Sequence, residues 1–188
     1  MKNMCCIDAF SPTSSSEIKA YFMENLKPIM DEKRDIIFLC IGTDRSTGDS
    51  LGPLIGYKLK PIISKKLYIY GSLESPIHAT NILTILDKIK ANFNNPYIVA
   101  IDAALGSVNN IGKVIIENKP LAPGAAFNKS LPAIGNMSIK GIVNISGGMD
   151  FTLLQHTRLN TVMTLADSIS NGISLFSKSV KKNLYQAS

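Results

Sequence analysis

Two aspartates stand near the carboxyl ends of predicted buried strands. Asp49 lies in the glycine-containing stretch of residues 42–53, which follows the continuous apolar run of residues 36–41. Asp102 directly follows a second apolar run, residues 98–101. In open α/β sheets, ligands bind beyond the carboxyl ends of the strands, at the crevice where the strand order reverses. If these two strands are neighbours, as in the common 2-1-3 order, we expect Asp49 and Asp102 to meet in that crevice.

A pair of carboxyl groups at such a place can hydrolyse a peptide bond. Two carboxylates within hydrogen-bonding reach cannot both ionise cheaply, so one keeps its proton while the other is a base. The ionised member takes a proton from water, and the protonated member donates to the carbonyl oxygen of the peptide. Asp49 precedes a predicted helix, whose N-terminal partial charge favours an ionised carboxylate, so we expect Asp49 as base and Asp102 as acid. This reaction requires no cofactor and no metal.

Each aspartate also has an ordinary structural interpretation. Asp is a favoured helix N-cap, which would explain Asp49, although Ser50 could serve as well. Asp102 could be a turn residue that accepts hydrogen bonds from backbone N–H groups at the end of its strand. An acid at the end of the apolar run 98–101 favours a functional role for Asp102. Both interpretations of Asp49 stay open.

Four further residues are candidates for substrate binding. Asp44 lies in the same loop as the first aspartate and ranks second to it as a catalytic acid. His78 follows the second predicted strand, at the same edge of the sheet. Residues 123–130 include Gly124 and Asn128 among several small residues, which let a loop approach a peptide backbone closely. This stretch is either a substrate clamp or an ordinary long loop.

The elements that must position these residues alternate between strands and helices. Continuous apolar runs and helically spaced apolar residues predict a three-layer α/β/α sandwich with a mainly parallel sheet. Strands are expected at residues 36–41, 67–73, 97–104, 112–117 and 139–146. Helices are expected at residues 14–31, 51–63, 80–93 and 151–180, the last with a break near Gly172. Residues 14–188 are predicted to form a single domain, and residues 1–13 a flexible segment.

Composition limits the class of protein and its surroundings. Of the 188 residues, 45% are hydrophobic and 18% charged, which fits one buried core and excludes disorder as the main state. Three cysteines are too few for a disulfide framework, so we expect a reducing compartment. No apolar run reaches the roughly 20 residues that cross a bilayer. We therefore expect a soluble cytoplasmic protein with no membrane partner and, because the lysines behind the net charge of +6 are scattered, no nucleic-acid partner.

Both aspartate stretches resemble motifs of a known family. Residues 48–53, Gly-Asp-Ser-Leu-Gly-Pro, are similar to the first aspartate motif of the spore germination endopeptidases, and residues 102–105 to the second. From the first predicted strand onward, and at residues 134–144 in particular, the chain resembles the shorter YyaC group of sporulation proteins. The resemblance implies a phosphorylase/hydrolase-like fold and catalytic aspartates at Asp49 and Asp102. It also implies small spore proteins as substrates, in the mother cell or forespore of a sporulating bacterium.

Three other functions stay open. The same fold is found in hydrogenase-maturation endopeptidases, which bind nickel through acids and a histidine. Ser50 stands where those enzymes have a glutamate, but Asp49, Asp102 and His78 could still assemble a metal site. The hydroxyl-rich residues 46–50 resemble the phosphate loop of flavodoxin-like proteins, although Asp49 would repel a phosphate. The chain could also be a sporulation scaffold or peptide-binding protein that kept the fold without catalysis.

Overall fold

A six-stranded sheet lies at the centre of the computed structural model, which describes residues 3–62, 66–122 and 132–186. The strands are β1 Met4–Asp8, β2 Ile36–Cys40, β3 Leu67–Tyr70, β4 Tyr97–Gly106, β5 Lys113–Glu117 and β6 Met137–Ile145. The helices are α1 Ser14–Asn25, α2 Lys27–Asp31, α3 Leu51–Leu59, α4 Ile82–Asn92, α5 Asp150–Gln155 and α6 Leu159–Gln186. None of the helices in these ranges is long and apolar enough to span a membrane.

The strand order is β1-β5-β6-β4-β2-β3. The pairs β3/β2, β2/β4 and β4/β6 are parallel, while β5 runs antiparallel to both β6 and β1. All five residues of β2 are buried, as expected for a central strand that is covered on both faces. The prediction of a mainly parallel α/β sheet is confirmed, and β2 lies between β3 and β4 as the 2-1-3 order requires.

Helices cover the two faces of the sheet. On one face, α6 packs against α1 and α3 over a large core that includes the rings of Phe22, Phe38 and Phe176. The Phe22 ring centroid lies 6.0 Å from that of Phe38 and 5.8 Å from that of Phe176. On the other face, isoleucines of α4 pack against Ile37 and Leu39 of β2. Helices on both faces of a central sheet make the expected three-layer arrangement.

The first strand corrects the expectation of a flexible segment at residues 1–13. Met4–Asp8 pairs along its whole length with β5, and Ile7 is buried against the sheet. The sequence of β1 gave little sign of this, because a short edge strand buries few side chains and has no clear alternation of apolar and polar residues.

Two predicted helices are divided where the sequence did not indicate it. The first consists of α1 and α2, and the C-terminal one consists of α5 and α6, with the break at residues 156–158 instead of near Gly172. Gly172 lies inside α6, where a Cβ would be 2.5 Å from the Cγ2 atom of Ile18 in α1. This glycine therefore allows two helices to approach closely and does not end one.

Gly56 allows α3 to pack closely against the backbone that follows β3, and this contact predicts how a substitution changes the stability of the fold. A Cβ on Gly56, in the middle of α3, would overlap the carbonyl oxygen of Gly71. Although alanine is the better helix former, we expect Gly56→Ala to lower the free energy of unfolding by about 2 kcal/mol or more, through overpacking. Urea unfolding measures this change.

Gly147→Ala is the matched control, because a Cβ there would approach only the Cδ1 atom of Leu153, at 3.9 Å. Its free energy of unfolding should stay within about 0.5 kcal/mol of the wild type. A Gly56→Ala protein as stable as this control would contradict the packing described for α3.

Candidate active site

Asp49 lies in a short 3-10 turn, Gly48–Ser50, immediately before α3. The loop that leads to it folds back on itself, since the N–H of Thr43 donates to the carbonyl oxygen of Asp49 at 3.0 Å. Gly42 makes this possible: its φ is +138°, and a Cβ would overlap the Asp49 carbonyl oxygen. The N–H of Gly42 also donates to the carbonyl oxygen of Ile77 at 2.7 Å. The loop is thereby attached to the segment that follows β3.

Asp102 lies inside β4, within the predicted strand of residues 97–104, and β4 continues two residues beyond that prediction. The N–H of Ile41 donates to the carbonyl oxygen of Ile101 at 2.8 Å, so Asp102 sits level with the end of β2. Its side chain is only 5% exposed, and its Oδ1 accepts a hydrogen bond of 2.8 Å from the N–H of Ala103. The interpretation of Asp102 as a strand-end turn residue is therefore wrong, because β4 continues to Gly106.

The two carboxyl groups influence each other electrostatically. Burial raises the pKa of Asp102 well above its ordinary value, and the negative charge of Asp49 raises it further. The backbone N–H of Ala103 only partly opposes this rise. Burial also raises the pKa of Asp49, while the N–H of Thr43 and the nearby His78 lower it. The pKa of Asp102 is thus the more strongly raised of the two, while the roles of Asp49 as base and Asp102 as acid stay a prediction.

A cavity of about 390 Å³ opens beside Asp49. Its walls come from the loop after β2, from the segment before α4 and from α5. The lining side chains with chemical or recognition potential are Arg45, Asp49, His78, Thr80, Phe151 and Gln155. Asp49 is one of the lining residues, and Asp102 is not.

His78 lies where the sequence predicted, in the cavity beside Asp49. Its Nδ1 atom is 2.9 Å from the hydroxyl oxygen of Thr80, and its backbone N–H donates to Oδ1 of Asn81 at 2.9 Å. Asn81 in turn donates to the carbonyl oxygen of Pro76, which fixes the segment before α4. A role of His78 in substrate binding stays a prediction.

The remaining predicted site residues are Asp44, Gly124 and Asn128. Asp44 is exposed on the same loop and is not one of the lining residues. Gly124 and Asn128, with the rest of the proposed clamp, lie outside the described residues. Within residues 3–62, 66–122 and 132–186, no group of three or more His, Cys, Asp or Glu side chains is arranged to hold a metal ion.

Sequence reasoning did not identify Arg45, Thr80, Phe151 or Gln155 as contributors to the cavity. Arg45 lines it, and no ion pair involves this guanidinium among the residues that the structure describes. Phe151 also lines it although 70% of this residue is exposed. The sequence did not indicate α5 as a separate helix, because residues 151–180 are predicted to form one helix that breaks only near Gly172.

A solved structure shares this fold. The [NiFe] hydrogenase maturation protease HycI of Thermococcus kodakarensis KOD1 superposes with a TM-score of 0.53 at 19% sequence identity. The match covers 77% of this chain and 92% of the HycI chain. At this level of identity the likeness establishes the fold.

Sequence comparison identifies a nearer relative and a family. The uncharacterized protein YyaC of Bacillus subtilis (strain 168) is 47% identical over 142 residues, which are 76% of this chain and 69% of YyaC. The resemblance to the spore germination endopeptidases stays a prediction. A family model described as "Protein of unknown function (DUF1256)" matches residues 8–172. The chain belongs to the DUF1256 family.

Proposed function

We propose that this protein is a peptidase whose catalytic pair is Asp49 and Asp102. The observation that carries the proposal is the placement of the two carboxyl groups: Asp102 is buried level with the end of β2, and Asp49, in the loop that follows β2, lines a cavity that a substrate can enter. Burial and the nearby charge of Asp49 raise the pKa of Asp102, which favours its protonated form. One protonated and one ionisable carboxyl group are the requirement for acid–base hydrolysis without a covalent intermediate.

The proposed reaction begins with ionised Asp49 and protonated Asp102. Asp49 accepts a proton from water as the water oxygen attacks the peptide carbonyl carbon, and Asp102 gives its proton to the carbonyl oxygen. As the C–N bond breaks, Asp49 passes its proton to the leaving nitrogen. Asp102 recovers a proton from a hydroxyl of the tetrahedral intermediate, which becomes the new carboxylic acid. Both groups thus return to their starting states.

The fold and the motifs support a peptidase more than other classes of enzyme. The solved structure with the same fold, HycI, is named as a hydrogenase maturation protease. The resemblance of residues 48–53 and 102–105 to the spore germination endopeptidases extends the proposal to small spore proteins as substrates, in the cytoplasm of a sporulating cell. Arg45, His78 and Phe151 are proposed to contact the substrate, because they line the cavity beside Asp49.

A metal-dependent peptidase of the maturation type is the second candidate. The observation that favours it is that Asp49 and His78 line one cavity in a fold shared with a hydrogenase maturation protease. Carboxylate and imidazole are suitable ligands for a divalent transition metal. A third ligand from the protein or substrate is needed to complete such a site.

Substitution of either aspartate should abolish cleavage. We expect Asp49→Asn and Asp102→Asn to lower the rate of cleavage of purified small spore proteins by about 100-fold or more, because each removes one half of the proton exchange. The control is Asp87→Asn, an exposed position on α4. Its rate should equal that of the wild type. Electrophoresis of the digests over time measures the rates.

Parallel incubations with EDTA and with added Ni²⁺ separate the two candidate functions. Cleavage that is unchanged by both additions supports the aspartic pair, whereas cleavage only after Ni²⁺ addition supports the metal-dependent enzyme. Equal cleavage by all the variants would rule out the pair. A wild type that binds spore proteins without cleaving them would favour the scaffold alternative.

The raised pKa of Asp102 predicts a pH-dependent stability. Because the folded state holds this proton more tightly than the unfolded state, Asp102 contributes stability at low pH that is lost as the pH rises through its folded pKa. Asparagine does not titrate, so Asp102→Asn does not lose this stability as the pH rises. The unfolding free energy of the variant relative to wild type should therefore rise from about pH 4.5 upward, by at most about 1.4 kcal/mol per pH unit.

Urea unfolding at several pH values from 4.5 to 9 measures this difference. Other titrating groups are common to both proteins and largely cancel. A difference that stays constant across the range would show that Asp102 has an ordinary pKa in the folded protein.

A further inference from the structure

The end of α5 lies directly against the residue that precedes Asp49. A Cβ on Gly48 would be 2.8 Å from both the carbonyl oxygen of Leu154 and the hydroxyl oxygen of Thr157. The backbone of the Asp49 turn and the end of α5 are therefore packed more closely than a residue with a Cβ would allow. A displacement of α5 would leave this side of the Asp49 turn without support.

A pair of polar side chains, Asn144 and Thr157, ties α5 to the sheet. The side-chain amide of Asn144, near the end of β6, donates to the carbonyl oxygen of Leu153 at 2.9 Å and to the Thr157 hydroxyl oxygen at 3.3 Å. The Thr157 hydroxyl donates to the same carbonyl oxygen at 2.8 Å. Thr157 is only 6% exposed, and the three hydrogen bonds are partly buried.

Beyond this pair, α5 is attached through the buried side chain of Leu154, which belongs to the core, and through its contact with Gly48. It has six residues, of which Leu154 alone is buried, and Phe151 is largely exposed. It follows Gly147 and Gly148, and a Cβ on Gly148 would meet no heavy atom within 4 Å. A helix this short is unstable without tertiary contacts. The Asn144–Thr157 pair is thus a principal attachment of α5 to β6.

We propose that Asn144 and Thr157 are positioning residues, which hold α5 against Gly48 and thereby fix Asp49 relative to Asp102. The catalytic meaning of this role rests on the proposed function. The same attachment also places Phe151 and Gln155 in the cavity wall. Neither positioning residue lines the cavity, so they act through the turn and the helix that they hold.

The pKa of Asp102 depends on its burial and on the nearby charge of Asp49. It is therefore expected to report whether α5 holds the Asp49 turn in place. Among the described residues, Asp49 is the charged group that raises the pKa of Asp102, while the other cause of its rise is burial. Asp49 itself faces His78, and Arg45 lines the same cavity. If α5 moves away, water enters and the Asp49 turn is released. Both changes lower the pKa of Asp102.

Thr157→Val and Thr157→Ser form a matched test. Valine keeps the shape of threonine and removes the hydroxyl, whereas serine keeps the hydroxyl. Thr164→Val is the control, because the hydroxyl of this half-buried residue of α6 makes the same kind of hydrogen bond, exposed to solvent, to the carbonyl oxygen of Asn160 at 2.9 Å. The titration of the Asp102 carboxyl carbon is followed by ¹³C NMR in each full-length protein, together with amide hydrogen exchange of α5.

We expect Thr157→Val to lower the Asp102 titration midpoint and to speed exchange in α5, while Thr157→Ser and Thr164→Val match the wild type. With small spore proteins as substrate, kcat should fall about tenfold or more for Thr157→Val alone, because small displacements of a catalytic group are costly. If Thr157→Val does not fold, Asn144→Ala provides the same readouts.

An Asp102 midpoint and α5 exchange that are unchanged in Thr157→Val and in Asn144→Ala would overturn the positioning role. The titration also separates this proposal from the proposed function. A wild type that cleaves nothing refutes the peptidase, yet the shift of the Asp102 midpoint still decides whether the Asn144–Thr157 pair positions the turn.

Discussion

The central constraint on this structure is the burial of Asp102 near a second carboxyl group. Taking a carboxylate out of water is costly, and a like charge nearby increases the cost. Burial and the charge of Asp49 raise the pKa of Asp102 and so favour its protonated form, while its Oδ1 accepts a hydrogen bond from the N–H of Ala103. A merely structural position in the middle of a parallel sheet would be filled more stably by an apolar residue. The combination of burial, charge coupling and an adjacent cavity is typical of a functional site.

The rest of the fold can be understood as the support of this pair. The strand order places β2 beside β4, so the loop after β2 begins level with Asp102. Glycines then allow that loop to fold tightly. The Asp49 carbonyl oxygen lies where a Cβ on Gly42 would be, and the end of α5 approaches Gly48 more closely than a Cβ there would allow. The site therefore depends on close backbone contacts at both ends of the loop as much as on the two acids themselves.

The sequence revealed the parts of this arrangement that are governed by local pattern. Continuous apolar runs identified β2 and β4. Because Asp49 follows the first run and His78 follows the second predicted strand, the sequence placed both residues at one edge of the sheet. Long-range contacts were not visible in the same way. The strand β1 depends on pairing with β5, and the extension of β4 beyond Ala104 to Gly106 depends on pairing with the neighbouring β6. Likewise, Gly172 resembled a helix break because its packing partner, Ile18, is distant in sequence.

The central claim is that the two carboxyl groups share one protonation equilibrium, and ¹³C NMR titration of the aspartate carboxyl carbons tests it most directly. The account predicts that Asp102 titrates well above Asp49 in the wild type, and that Asp49→Asn lowers the Asp102 midpoint because the neighbouring negative charge is gone. Two independent titrations at ordinary aspartate pKa values, with no response of Asp102 to Asp49→Asn, would contradict it.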